Sequence, residues 1–553
     1  MSDAPAPLRS AWLLAAALAA LWIVQFHPFV FPNNDFYSFR RAAWSFQRGE
    51  LPASTKRGPI FPAAIALLAP VMPGDQPELD AALAMNLVCS LALFLALAAF
   101  AARTFPDAAP LFAVLLATTP VLHAAALQPL LEPSLGLFVA LTFLGLRARS
   151  PWQYAAASAA ALSRPDAIVL VAILAAVNAF FERDRMVRHA ALAAAAALPC
   201  LAWYSLGRSG GGAAYLALRE AYGSGAPLYL AILPKELFGS WWRTDPLSIA
   251  LFAVAVAAPS AWGAWRAWRT APRETAAMLA WFAVSCAVVV LYGVGKTRYV
   301  HPIAWVPLLC LAIGVVDLLP RAAARLRALP TLAPPIASIL AWIAILGAVR
   351  AFVVAMGHTS GLAFGEDLVF ALLAFATLVV VLNGPSFFPP DAANAASLLA
   401  LTIVLPLVLG GVGRKLELLA AVHDFDRAAV AAADWVRTEL PPGERIAALH
   451  YSQIKFAGGP ARERVVPFRH FEAATTDELR AALVREGVRY LAWTWRRPAE
   501  TKAERFYAGR RNEALAAAFA TGEAVPGFEH VATLPAEPRL HQPPARIYRL
   551  AEE

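Results

Sequence analysis

The sequence predicts a polytopic α-helical membrane protein of about thirteen transmembrane helices, followed by a soluble C-terminal α/β domain. Three observations predict this class. Of the 553 residues, 59% are hydrophobic and only 15% are charged, whereas about 25% are charged in an ordinary soluble domain. Apolar runs long enough to cross a bilayer recur as far as residue 412. Beyond residue 425 the composition becomes polar, which indicates a separate domain outside the lipid.

The spans follow from the requirement for roughly 20 apolar residues in each membrane-crossing helix. We predict them at 10–30, 79–102, 108–127, 130–147, 152–163, 166–181, 187–206, 246–268, 274–294, 299–319, 332–355, 362–382 and 394–412. The fifth and sixth are short, and Arg164, Pro165 and Asp166 separate them. The first span has no small-residue cleavage site behind its apolar core, so we interpret it as a retained anchor rather than a removed signal peptide.

Arginine-rich loops set the predicted orientation, because basic residues accumulate on the cytoplasmic side of a membrane. With the N-terminus in the cytoplasm, the short inside loops carry Arg103, Arg147, Arg149, Arg183, Arg185, Arg188, Arg266, Arg269, Arg273, Arg321, Arg325 and Arg327. These loops also account for the net charge of +9, so the charge does not indicate nucleic-acid binding. The first loop, 31–78, and everything after about residue 413 then lie outside.

We therefore divide the chain into a membrane domain, 1–413, and an extracytoplasmic α/β domain, 425–553. In the second domain the sequence predicts helices at FDRAAVAAADWVRTELPPG and TTDELRAALVREG, and strands at RIAALHY, VRYLAWTW and ARIYRL. Thr475 and Glu478 form a capping-box pattern at the start of the second helix. No Gly-rich phosphate loop occurs there, so we interpret this domain as a cap or an acceptor-docking module. The cysteines fall in apolar segments and indicate no disulfide framework: they are Cys89, Cys200, Cys286 and Cys310.

The first external loop contains many charged and polar residues in the stretch FPNNDFYSFRRAAWSFQRGELPASTKRGPIFPAA. Asp35 follows the first span by a few residues, at the membrane surface, where an ionisable group is costly unless it is paired or functional. One interpretation is an amphipathic interfacial helix whose aromatic residues enter lipid and whose arginines reach the headgroups: Phe36, Phe39, Phe46, Arg40, Arg41 and Arg48. The other interpretation is a catalytic carboxylate.

Charged and polar residues at other predicted outer ends approach the same membrane face. They are Lys56, Arg57, Glu132, Arg164, Asp166, Lys296, Arg298, Tyr299 and His301. Several of them also have a structural explanation. Lys56 and Arg57 can anchor to headgroups, Glu132 can be stabilised by a helix dipole, and Arg164 and Asp166 can form a salt bridge across the helix break.

Several short motifs occur in order over most of the chain. The Asp of the first external loop is followed by GELP and KRGPIFP, then by LLEPSLGLF at the fourth span, ALSRPDAIVL between the short spans and TRYVHP at the tenth. This ordered set resembles the GT-C glycosyltransferases. It is most similar to the family 39-like branch, which includes protein O-mannosyltransferases and lipid A aminoarabinose transferases.

The resemblance implies a GT-C fold and an integral membrane enzyme that transfers a hexosyl or pentosyl group from a polyprenyl-phosphate donor. It maps the family's catalytic first-loop Asp onto Asp35 and its acidic residue at the fourth span onto Glu132. The family's Arg-Tyr pair corresponds to Arg298 and Tyr299, and its Lys-Pro-Pro motif is replaced by Arg57-Gly58-Pro59. The Ala- and Arg-rich composition favours a bacterial source, so the expected location is the outer face of a cell inner membrane.

The chemistry of such a donor assigns the remaining roles. The departing lipid phosphate is an oxyanion of low basicity, so it needs positive charge rather than a proton. The candidates for binding it are Lys56, Arg57, Arg298 and Tyr299. The acceptor hydroxyl or amine attacks C1 from the opposite side with Asp35 as general base, which inverts the configuration. Glu132 and Asp166 are candidates for orienting the acceptor or for holding a divalent metal cation.

Two other function classes remain open at this stage. A transporter or flippase for a lipid-linked intermediate requires charged residues at midmembrane depth, and the spans contain few. A non-catalytic envelope scaffold with the same fold is the third class. Consumption of a polyprenyl-phosphate sugar distinguishes an enzyme from both. The acceptor is a protein, lipid A, a glycan or another lipid, and the sequence does not select among them.

Overall fold

A computed structural model describes residues 34–55, 57–73, 76–117, 119–206, 256–292, 297–327, 431–449, 463–471, 475–493, 524–534 and 545–551, with isolated positions at 15, 16, 19, 429, 454, 455, 473, 515 and 519. The predicted spans 332–355, 362–382 and 394–412, and most of 10–30, lie outside the described residues. The chain clusters into two compact units. One consists of Met1–Phe26, Phe39–Leu216 and Ser224–Leu416, and the other of His27–Ser38, Ala217–Gly223 and Glu417–Glu553.

The described part of the chain before residue 328 is almost entirely helical. Its α-helices are α1 (Asn34–Gln47), α2 (Ile60–Leu68), α3 (Pro77–Thr104), α4 (Ala109–Ala117), α5 (Pro120–Ala126), α6 (Glu132–Arg147), α7 (Trp152–Ser163), α8 (Ile168–Phe181), α9 (Met186–Ser205), α10 (Ala258–Thr270), α11 (Pro272–Tyr292) and α12 (Trp305–Arg327). Short 3-10 turns occur at Ala69–Val71, Pro165–Ala167, Arg183–Arg185 and Thr297–Val300. The four cysteines are free and lie within these helices.

These helices confirm a helical segment within each predicted span from the second to the tenth; residues 246–255 of the eighth lie outside the described residues. The third differs because Pro120 begins a new helix, so that span consists of α4 and α5. The short fifth and sixth spans are the separate helices α7 and α8. Among the described residues, Pro77–Thr104 and Arg183–Ser205 are long and apolar enough to cross a bilayer. Crossing of the membrane stays a prediction for these two helices and for the others.

Helix α1 confirms the helix predicted in the first loop, but its surroundings differ from the prediction. Phe39 is only 1% exposed, and its ring meets Phe61 of α2 edge-on at a centroid distance of 5.0 Å. Arg40 pairs with Glu78 at 3.3 Å, and Trp44 donates its indole N–H to Glu78 at 2.7 Å. The interpretation in which Phe39 enters lipid and Arg40 reaches the headgroups is therefore wrong for these two residues, because both side chains contact other protein groups.

Helices α10 and α12 cross so closely that their backbones are in contact. A Cβ added to Gly263 would overlap the carbonyl oxygen of Cys310, and one added to Gly314 would overlap that of Pro259. Asp317 of α12 accepts a 2.6 Å hydrogen bond from the indole of Trp262 on α10. The same carboxylate pairs with two arginines at 3.1 Å each: they are Arg266 and Arg321. These contacts give Asp317 a structural role in holding the two helices together.

Over the residues that the structure describes, the C-terminal unit contains a mixed sheet of five strands. Its strands are β1 (Ile446–Ala448), β2 (Val465–Pro467), β3 (Tyr490–Trp493), β4 (Phe528–Leu534) and β5 (Ala545–Leu550), in the spatial order β2-β1-β3-β5-β4. β1 pairs in parallel with β2 and β3, whereas β5 pairs antiparallel with β3 and β4. The three predicted strands are confirmed as β1, β3 and β5, and β2 and β4 were not predicted from the sequence.

Helical layers cover the two faces of this sheet. Residues 431–438 are helical and pack Ala432, Ala433 and Val436 against one face. Helix α13 (Thr476–Arg485) packs Leu479 and Leu483 against the other. The predicted N-cap is confirmed, because the hydroxyl of Thr475 accepts from the backbone N–H of Glu478 at 3.2 Å. The unit is therefore built of three layers, helix–sheet–helix, with a core on each face of the sheet.

Candidate active site

The break between α7 and α8 positions one candidate cluster. The residue before a proline is restricted to extended conformations, and Arg164, which precedes Pro165, has φ −149° and ψ 128°. Helix α7 therefore ends at Ser163, and Pro165–Ala167 forms a 3-10 turn that starts α8. The Arg-Pro-Asp sequence thus moves the Arg164 side chain out of the helical path.

Arg164 and Asp166 form the salt bridge considered for them from the sequence. The Arg164 Nε and Nη2 atoms donate to the two carboxylate oxygens of Asp166 at 2.7 and 2.8 Å. The side chains are only 12% and 23% exposed. Both oxygens of Asp166 are engaged, so this carboxylate fixes the plane of the guanidinium. Such a two-point contact fits the fork geometry of arginine.

Tyr299 lies against the same guanidinium. The 3-10 turn Thr297–Val300 places its ring 5.1 Å from the Arg164 Cζ atom, within the range of a cation–π contact. The side chain of Arg298, the other member of the predicted pair, lies outside the described residues. The structure therefore brings one of the two predicted phosphate contacts of this segment to the helix break.

Glu132 joins the cluster through α6. It occupies the first turn of this helix and is 2% exposed. Gly136 lies one turn later on the same face, and its missing side chain admits the ring of His301, whose Cε1 atom would lie 3.1 Å from an added Cβ. His301 follows Tyr299 by two residues. Glu132 is also close enough to add to the electrostatic stabilisation of the Arg164 cation.

The segment before α2 packs directly on the end of α7. A Cβ added to Gly58 would overlap the Leu162 carbonyl oxygen and would lie 2.6 Å from the Ser163 oxygen. The indole of Trp203 donates to the Arg57 carbonyl at 3.0 Å. The Arg57 guanidinium lies 5.2 Å from the ring centroid of Phe39. This packing fixes the backbone of Arg57 next to the residues that precede Arg164. Lys56 lies outside the described residues.

Asp35 is in the first turn of α1, and its carbonyl accepts a 2.6 Å hydrogen bond from the Ser38 hydroxyl. A carboxylate is favoured at this end of a helix by the helix dipole. The residue belongs to the segment His27–Ser38, which clusters with the C-terminal unit. The catalytic role of Asp35 stays a prediction.

Glu132 and Asp166 were also candidates for holding a divalent cation. Both oxygens of Asp166 accept hydrogen bonds from Arg164. Within the described part of the chain, no group of three His, Cys, Asp or Glu residues is arranged to hold a metal ion. The metal-binding role of these two carboxylates stays a prediction.

A buried polar network at the other end of α8 was not predicted from the sequence. Arg273 donates to Glu182 at 2.6 Å and to the Asn178 side-chain oxygen at 3.0 and 2.6 Å. The His189 ring is hydrogen-bonded through Nε2 to the Glu182 carboxylate at 3.1 Å and through Nδ1 to the Tyr154 hydroxyl at 3.2 Å. The network ties together the ends of α7, α8, α9 and α11. The only sequence signal was a histidine and an arginine close to apolar helix ends.

In its fold the chain resembles the GT-C glycosyltransferases, the class indicated by the sequence motifs. The chain is similar to ArnT from Cupriavidus metallidurans, whose crystal structure in the apo state aligns with a TM-score of 0.57, 14% sequence identity and 97% coverage of each chain. The crystal structure of ArnT from the same organism bound to undecaprenyl phosphate aligns with a TM-score of 0.56, 15% identity and the same coverage. No protein-family model matches the chain, and no curated protein matches its sequence. The resemblance inferred from the motifs is thus confirmed at the level of the fold.

Proposed function

We propose that the chain is an integral membrane glycosyltransferase that moves a sugar from a polyprenyl-phosphate donor to an acceptor outside the cytoplasm. The observation that carries the proposal is the alignment over 97% of both chains with ArnT, which was crystallised with undecaprenyl phosphate. The clustering of Glu132, Arg164, Asp166 and Tyr299 supports it, because these residues come from distant segments and meet at one helix break. A scaffold protein that binds no ligand would give no reason for these residues to cluster.

The proposed location is a bacterial inner membrane, with the N-terminus in the cytoplasm and the C-terminal α/β domain outside. The apolar helices Pro77–Thr104 and Arg183–Ser205 support insertion. The arginines of the predicted inside loops support the orientation. In this arrangement the break between α7 and α8 faces the outer side, where the phosphate of a lipid-linked donor is found.

The proposed reaction is a single displacement with inversion. The acceptor attacks C1 of the sugar as Asp35 removes its proton. The C1–O bond to the lipid phosphate breaks, and its electron pair stays on the phosphate, which needs preorganised positive charge. The groups proposed to supply that charge and the hydrogen bonds are Lys56, Arg57, Arg298 and Tyr299. Glu132 is proposed to orient the acceptor, and Asp166 to orient Arg164.

The Asp35→Asn variant is expected to lose sugar transfer by a factor of about 10²–10⁴, because an amide cannot accept the acceptor's proton. The measurement is consumption of a radiolabelled polyprenyl-phosphate sugar by the purified full-length protein. Expression and membrane insertion should be unchanged.

Glu50→Gln is the matched control, because Glu50 lies in the same loop, is exposed and pairs only with exposed Arg48 among the contacts described. This variant should transfer sugar as the unaltered protein does. Full activity of Asp35→Asn would remove Asp35 from the mechanism. Failure of the unaltered protein to consume any such donor would favour a transporter or a scaffold instead.

A further inference from the structure

Arg164 retains one hydrogen-bond donor group that its salt bridge does not use. Nε and Nη2 are engaged by Asp166. The Nη1 atom is buried and has no hydrogen-bond partner among the described residues. A buried donor without an acceptor costs free energy, and a guanidinium carries donors only and stays charged. The group that completes this site is therefore a hydrogen-bond acceptor.

The surroundings of Arg164 make it rigid. Asp166 fixes the guanidinium plane from one edge, and the ring of Tyr299 lies 5.1 Å from its central carbon. Pro165 prevents the backbone of Arg164 from continuing α7. A guanidinium held in this way loses little conformational freedom when it binds a further oxyanion. A salt bridge that served only to join α7 to α8 would not require the contact with Tyr299.

Two segments proposed to bind the donor phosphate lie close to Arg164 in the fold. The ring of Tyr299 contacts its guanidinium directly. The Arg57-Gly58 segment packs on the carbonyl groups of Leu162 and Ser163, the two residues that precede Arg164. Arg164 is therefore next to both elements to which the proposed function assigns the phosphate.

We propose that Arg164 binds the phosphate of the polyprenyl-phosphate donor through Nη1, with Asp166 and Tyr299 as its positioning residues. The proposal rests on the proposed function and extends its phosphate site by a residue that the motif comparison did not assign. Asp166 thereby acts through Arg164 and does not touch the substrate.

The test compares undecaprenyl phosphate with undecaprenol, the same lipid without its phosphate, as ligands of the purified full-length protein. The unaltered protein should bind the phosphate form more tightly. The variant Arg164→Gln/Asp166→Asn removes both charges of the salt bridge together, so neither member of the pair is left without its partner. It should melt near the unaltered protein in detergent but bind undecaprenyl phosphate about tenfold or more weakly, as expected for loss of a hydrogen bond between charged groups. Binding of undecaprenol should not change.

Arg164→Lys is a second test variant, which keeps the positive charge at position 164 and leaves Asp166 unchanged. An ammonium group cannot hold Asp166 at two points and donate in a fixed direction to a third group. This variant should also lose phosphate preference, by a smaller factor. Asp434→Asn/Arg437→Gln removes an exposed pair on the helix of residues 431–438 and is the matched control, with unchanged binding.

Retention of the phosphate preference in either folded Arg164 variant would overturn the proposal and leave Arg164 with a purely structural role. Sugar transfer measured on the same samples separates this result from a failure of the proposed function. Transfer that is intact in both Arg164 variants overturns only the role of Arg164. If the unaltered protein never transfers sugar, and the preference for undecaprenyl phosphate over undecaprenol disappears in both variants, only the enzyme assignment is overturned.

Discussion

Replacement of Arg273 by methionine is expected to lower the free energy of unfolding by about 3–5 kcal/mol, the usual cost of breaking a buried ion pair from one side. Arg273 is 7% exposed, and it donates to both Glu182 and Asn178. Methionine fills much of the volume but leaves the Glu182 carboxylate without its nearest cation. The measurement is chemical unfolding of the purified protein in detergent, followed by tryptophan fluorescence.

A second substitution tests the cause of this loss. In the Glu182→Gln/Arg273→Met variant no carboxylate is left behind, so part of the stability should return relative to Arg273→Met alone. Arg188→Met is the control, because Arg188 is exposed on the first turn of α9. A loss of stability in Arg188→Met equal to that in Arg273→Met would show that the network is not responsible.

The Gly58→Ala variant is expected to lose about 10²-fold in sugar transfer with a much smaller loss of stability. Its Cβ would overlap the Leu162 carbonyl oxygen, so the Arg57-Gly58 backbone must move away from α7. A displacement of about 1 Å at a residue that positions a reacting group costs approximately this factor in rate. The measurement is the rate of donor consumption together with the melting temperature in detergent.

Gly49→Ala is the matched control for this variant. Gly49 has φ +72° and no atom within 4 Å of an added Cβ, so alanine there strains the first loop without a steric contact. This variant should be slightly less stable and should keep its activity. Equal activity of Gly58→Ala and Gly49→Ala would contradict a role for the close approach at Gly58.

The elements predicted correctly depend on information that is local in the chain. Apolar runs predicted the helices from α3 to α12, because burial of a helix requires apolar side chains along its whole length. Pro165 predicted the break between α7 and α8. The salt bridge across that break was considered from the sequence because its two members, Arg164 and Asp166, are only two positions apart.

The elements that were missed depend on distant partners or on weak local patterns. Arg273 and Glu182 are 91 positions apart, and the indole of Trp203 reaches a carbonyl 146 positions away. Nothing in either local sequence indicates these pairs. The edge strand β4 has a largely exposed first half, so it lacks the alternation that identifies a half-buried strand. The partner of Arg40 was missed because Glu78 belongs to another helix.

The shortness of α7 is matched by its burial. Its 12 residues span about 18 Å, whereas the hydrocarbon core of a bilayer is about 30 Å thick. Eight of the 12 residues are buried by the rest of the protein, so neighbouring helices and not acyl chains cover most of α7. A helix covered in this way can end at a polar break without the bilayer thinning to match its length.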